Sequence, residues 1–361
     1  MRITAGDVAD LAAGATLLGS GGGGETTNVA ALLRHVLTEN GPVDVVPAAG
    51  LDPESWVVPI ATIGAMTVLV ERPPSGPEFH TAVRALEHRL GITVAAIHGL
   101  ENAGTNALTP VAAAAWLGLP LVDGDGMGRA YPRIDQTVFT LAGLPSGPVV
   151  LSEPSGVEVT VAGTNGAGAE RLARAALPAL GGWAVMAGFA LRARESRDHA
   201  LSGTVSRALS LGRALRRAQD DPAERDRLLA EASGRRLFTG TVMQVRQRGR
   251  DGAAYGTVTV EHAVTRERTL RLEMADEYLL ALDDGAVTAR VPDIIAVVHS
   301  RTWLPISTEQ VAPGQHVDVL RLPAPPELET PAAAALMGPA AFGLDLPAPT
   351  EPRDSSNGGP R

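Results

Sequence analysis

The feature that most constrains the fold of this chain is an alternation of two hydrophobic periods. Short apolar runs with strand character, at residues 56–62, 93–97 and 121–122, are separated by segments 78–90 and 111–117, where apolar residues recur at helical spacing. Strand, helix, strand in that order predicts an α/β layer with at least partly parallel pairing. Ligands in such sheets gather beyond the strand ends. Two polar loops fall there.

The first loop, residues 98–110, carries Glu101 and Asn106 and leads into the alanine-rich helix. Thr109 is expected to cap that helix, with Pro110 at its first position. Glu101 follows a buried strand and reads as a functional carboxylate rather than a solvated one. The second loop follows Val122 and runs Asp123-Gly124-Asp125-Gly126-Met127-Gly128-Arg129-Ala130-Tyr131-Pro132. Asp123 and Asp125 are two apart, so in an extended backbone both side chains leave on one face. Such a loop suits a divalent cation or a polar ligand; the plainer alternative is an Asp/Gly turn after a buried strand. With parallel strands, Glu101, Asn106, Asp123 and Asp125 converge on one sheet edge.

Upstream, residues 4–18 have helical spacing with Thr4 as the cap, and run into Gly21, Gly22, Gly23 and Gly24. Ordering four glycines in a row costs much chain entropy. Their amides are expected to face an anionic or carbonyl-bearing ligand, beside the positive end of a helix over residues 28–37. A flexible connector is the alternative. No strand precedes the run, so it is not a dinucleotide fingerprint.

From residue 237 the period shortens, and β-rich segments separated by turns follow one another to about residue 322. The expected organisation is therefore an α/β domain over 1–180, with a layered, partly parallel sheet, and a β-rich (α+β) carboxy-terminal domain with leading helices over 181–325. Residues 345–361 have the composition of a disordered tail. The chain has no cysteine and no lysine, which removes thiolate and Schiff-base chemistry and leaves carboxylate, imidazole, amide oxygen or water as metal ligands. A net charge of -9 argues against nucleic acid as a partner. No apolar run approaches the about 20 residues of a membrane helix, and the first residues lack the order of a signal peptide, so a cytoplasmic protein is expected.

These motifs resemble the S-methyl thiohydantoin desulfurase family, which is associated with hydantoinase and oxoprolinase genes. The similarity spans residues 5–322 and rests on Leu18 to Gly24, Gly64 to Val68, Glu101 with Gly104, Asn106 and Pro110, the 118–132 motif, Gly203 to Leu209, and Val291 to Ile295. The chain departs from the family pattern at Glu25-Thr26, at Met66, and at Asp276-Glu277, where an Asn-Glu pair is usual. The resemblance implies metal-dependent cleavage of a carbon–sulfur bond at the amidine-like carbon of a hydantoin-type ring, with water entering and a thiol leaving. It further implies that Asp123 and Asp125, with Glu101, bind a divalent metal or act as general base. Arg129 would orient the ring, and Gly21 to Gly24, Asn106 and Thr204 would lie at the substrate. Arg129 as a structural partner of Asp123 or Asp125 is the alternative. Three functions stay open: hydrolytic desulfurase, lyase or cyclase on the same fold, and non-catalytic binding subunit of a hydantoinase/oxoprolinase-type partner. A homo-oligomer also stays open.

Overall fold

Strand Trp56–Gly64 is apolar almost throughout because both of its faces are covered. Val58 and Ile60 join one core with Leu11, Leu33, Phe79 and Val111. Val57, Ala61 and Ile63 join another with Val122, Phe139, Leu151 and Met186. The computed structural model, which describes residues 1–250 and 253–346, places this strand in the middle of a mixed sheet. Val43–Val46, Leu121–Val122, Val94–Gly99 and Trp56–Gly64 lie side by side in that order, each parallel to the next. Antiparallel strands extend both edges: Arg2–Ile3 on one side, and Trp183–Ala187, Val149–Ser152 and Glu158–Val161 on the other.

Two helices nearly 200 residues apart in sequence cross on this layer. In Val8–Leu18 and Thr204–Ala218 the contact is made through glycine: a Cβ on Gly14 would sit 1.8 Å from the Ala208 carbonyl oxygen, and one on Gly212 1.6 Å from that of Asp10. The crossing brings the start of the later helix beside the Asp/Gly motif, where Leu201–Ser202 pairs with Gly124–Asp125. Residues 181–234, expected at the opening of the second domain, thus attach to the first sheet. Trp183–Ala187 pairs with both Trp56–Gly64 and Val149–Ser152.

The second sheet begins at Arg235. Among the described residues it has eight strands, all antiparallel, with the long strand Arg235–Arg250 between Ala253–His262 and His316–Leu322. Thr269–Met274 shows the alternation that shapes it, with Leu270, Leu272 and Met274 buried. Beyond the sheet, the short helices Pro331–Met337 and Pro339–Phe342 fold back onto the first layer. Met337 and Phe342 share its core with Met127, Tyr131 and Ile134, and Gln136 Nε2 donates to the Leu336 carbonyl at 3.1 Å. From residue 347 onward the expected tail lies outside the described residues. Among the described residues no helix is long and apolar enough to cross a membrane.

Thr109 does not cap its helix. It is the first residue of Thr109–Leu117, and its hydroxyl donates back to the Thr105 carbonyl at 3.0 Å. Pro110 therefore stands second, a position that also needs no amide hydrogen.

Candidate active site

The glycine run is pinned, which excludes the flexible connector. Gly21, Gly23 and Gly24 hold left-handed backbone at φ of 81° to 86°. The carbonyls of Ser20, Gly21 and Gly23 are bonded from both units: Thr105 N donates to Gly23 O at 2.8 Å, Thr308 N to Gly21 O at 2.9 Å, and Tyr278 N to Ser20 O at 2.7 Å. A Cβ on Gly23 would meet Gly104 Cα at 2.9 Å, and one on Gly22 would meet Glu277 Cγ at 2.6 Å. The loop is squeezed between the two units, and only glycine fits.

A cavity of about 490 Å³ opens beside it, at the carboxy-terminal ends of Trp56–Gly64 and Val94–Gly99. All four glycines, Glu101, Asn106, Met127, Tyr131, Glu277 and Thr308 line it. Asn106 is locked by Thr62, whose amide and hydroxyl both donate to its Oδ1, at 2.7 and 2.8 Å. Its side chain in turn bonds Glu101, which also accepts from the Tyr131 amide. Burial, then the nearby charges of Glu277 and Asp125, push the Glu101 carboxyl well above the ordinary carboxylate range. Burial pushes Glu277 up to about 8, opposed by the Arg129 guanidinium. Glu101 Oε1, Glu277 Oε2 and the Tyr131 hydroxyl are buried without a hydrogen-bond partner among the described residues. All three belong to cavity-lining residues.

The structure brings Glu101, Asn106 and the glycines together at the cavity, and neither aspartate lines it. Asp123 does not line the cavity. It caps helix Thr204–Ala218, accepting from Val205 N and Ser206 N, each at 3.1 Å, and from the Ser206 hydroxyl. Asp125 is turned into its own loop and accepts from Asn102 N at 2.6 Å and Gly128 N at 3.1 Å. Burial outweighs those amides and raises its pKa to about 7. Thr204 belongs to the same buried network, receiving Asn102 Nδ2 at 2.8 Å, and is likewise outside the cavity. Arg129 pairs with neither aspartate. Its guanidinium donates to the carbonyls of Ala130 at 3.1 Å, Asp293 at 2.6 Å and Tyr278 at 3.3 Å, tying the first unit to the second.

The two aspartates of the expected metal pair are each engaged elsewhere. The oxygens of Asp123 and Asp125 are aligned on amide donors of different segments, and among the described residues no three His, Asp or Glu side chains are grouped to hold an ion. The residue that motif reading passed over is Glu277. Its signal was the Asp276-Glu277 pair, noted only as a departure from the family pattern. His98 does not line the cavity, and burial pushes its pKa down to about 4.

Residues 6–163 match the model of the S-Me-THD-like N-terminal domain, and residues 164–350 match that of the S-Me-THD-like C-terminal domain. The chain belongs to the S-Me-THD-like family. An X-ray structure of a protein from Chromobacterium violaceum has the same fold, with a TM-score of 0.82 at 25% identity, over 98% of this chain and 100% of that one. No curated protein matches. In this S-Me-THD-like chain the N-terminal match supplies the glycines, Glu101, Asn106 and Tyr131, and the C-terminal match supplies Glu277 and Thr308. The cavity is thus complete only when both are present.

Proposed function

We propose that the protein is a desulfurase that hydrolyses the carbon–sulfur bond of a small S-alkyl thiohydantoin, using Glu277 as base and Glu101 as acid. The observation that carries this reading is the pair of buried carboxyls from separate sheets, each with an unpartnered oxygen, at one cavity. Two acids in unequal fields divide the roles. Glu277 lies near the positive charge of Arg129, which favours its ionised form, whereas Glu101 lies near the negative charges of Glu277 and Asp125, which favour its protonated form. The volume of about 490 Å³ suits a small ring.

The steps balance without a further reagent. A water proton passes to Glu277 as the water oxygen bonds to the carbon bearing sulfur. The C=N electrons move to the ring nitrogen, which takes the proton of Glu101. The adduct then collapses: the C–S bond breaks, the sulfur leaves as a thiol with the proton held by Glu277, and the hydroxyl proton returns to Glu101 as the new carbonyl forms. Both residues regain their starting states.

The test uses S-methyl thiohydantoin and follows methanethiol release. Glu277→Gln and Glu101→Gln should each lower kcat by about 10² to 10⁴-fold with the melting temperature kept or raised. Turnover that survives both substitutions overturns the assignment. A product that keeps its sulfur would point instead to ring opening or a lyase.

A further inference from the structure

We propose that the Tyr131 hydroxyl is the hydrogen-bond donor to the ring carbonyl of the substrate, and so selects rings that carry a carbonyl next to the reacting nitrogen. This rests on the reading of the cavity as the thiohydantoin site. Tyr131 lines that cavity, and its hydroxyl is buried with no partner among the described residues. Its ring is held from two directions: Phe342 stacks on it with centroids 6.4 Å apart, and the Arg129 guanidinium lies 5.3 Å from its centroid. A buried hydroxyl left without a bond is unfavourable unless a ligand completes it.

The chemistry identifies what completes it. When water adds to the C=N carbon, electron density moves to the ring nitrogen and is shared with the adjacent carbonyl oxygen. A preorganised donor at that oxygen stabilises the adduct more than the ground state. Burial and the charges of Glu277 and Asp293 raise the pKa of the phenol, so it keeps its proton and serves as a donor. Tyr131 is the third of three unpartnered groups at one cavity, with Glu101 and Glu277 accounting for the proton transfers.

Tyr131→Phe removes the oxygen and keeps the ring on Phe342, so the melt should stay at or rise above the wild-type value. Two measurements read the hydroxyl itself. Turnover of S-methyl thiohydantoin should fall about 10²-fold in kcat, as for loss of one oxyanion donor. Calorimetry with hydantoin and with 2-imidazolidinone, which lacks the second carbonyl, should show a roughly tenfold preference for hydantoin in the wild type and none in the variant. Unchanged kcat with the preference retained in Tyr131→Phe, or equal affinity of the wild type for both rings, overturns the proposal. The two readings fail separately. Loss of the preference in Tyr131→Phe, with turnover intact in both glutamine variants, leaves Tyr131 standing and removes the acid–base assignment; the opposite pattern does the reverse.

Discussion

Glu277 and Glu101 share a cavity but titrate in different surroundings, and this has a readable consequence. The base must be ionised, so kcat/KM should rise as pH passes through about 8, and the rising limb should vanish in Glu277→Gln. Stability should move the other way. A carboxyl whose folded pKa lies above its unfolded value helps folding fully at low pH and loses that contribution as pH climbs from the ordinary glutamate range through about 8. Glu277→Gln should therefore melt higher than wild type at pH 8.5 and close to it at pH 4. Asp123→Ala should do what motif reading would not expect: cost about 1–2 kcal/mol by calorimetry, as a lost helix cap, while turnover persists. Glu101 and Asn106 were legible because a polar residue soon after a buried strand has few structural reasons to be there, and the glycines because four in a row cost much chain entropy to order. The places of Asp123 and Asp125 outside the cavity were not legible, because capping, loop-locking and metal binding all draw on the same side chain at the same spacing.

At the scale of elements, the glycine crossing of Val8–Leu18 on Thr204–Ala218 is the contact with least tolerance. Gly212→Ala places a methyl against the Asp10 carbonyl and should destabilise the protein by about 3 kcal/mol in urea unfolding, with the cavity residues unaltered. Both helices were visible from their apolar spacing, yet their meeting was not, since a glycine inside a helix announces no partner. The parallel strands were legible for the opposite reason: connecting them requires a crossover, and the crossovers are helices in plain view. Trp183–Ala187 completes the first sheet although it lies within the C-terminal family match, and the sequence did not show this because a buried run carries no record of which sheet it completes. The same-face reading of Asp123 and Asp125 assumed extended backbone, whereas the ladder there is only Gly124–Asp125 against Leu201–Ser202.

Across the whole molecule, the site depends on chain that contributes nothing to its chemistry. Phe342 backs Tyr131, and Pro331–Met337 packs behind the same wall. Phe342→Ala should cost about 3 kcal/mol and weaken hydantoin binding, because the ring it supports loses one of its two restraints. Removing the hydroxyl should weaken binding without lowering stability; removing the backing should lower both. This arrangement also sets an order on biosynthesis. The last residue lining the cavity is Glu309, but the brace for Tyr131 arrives only when residue 342 has cleared the ribosome, so a nascent chain with both sheets built still lacks the ring that backs this wall.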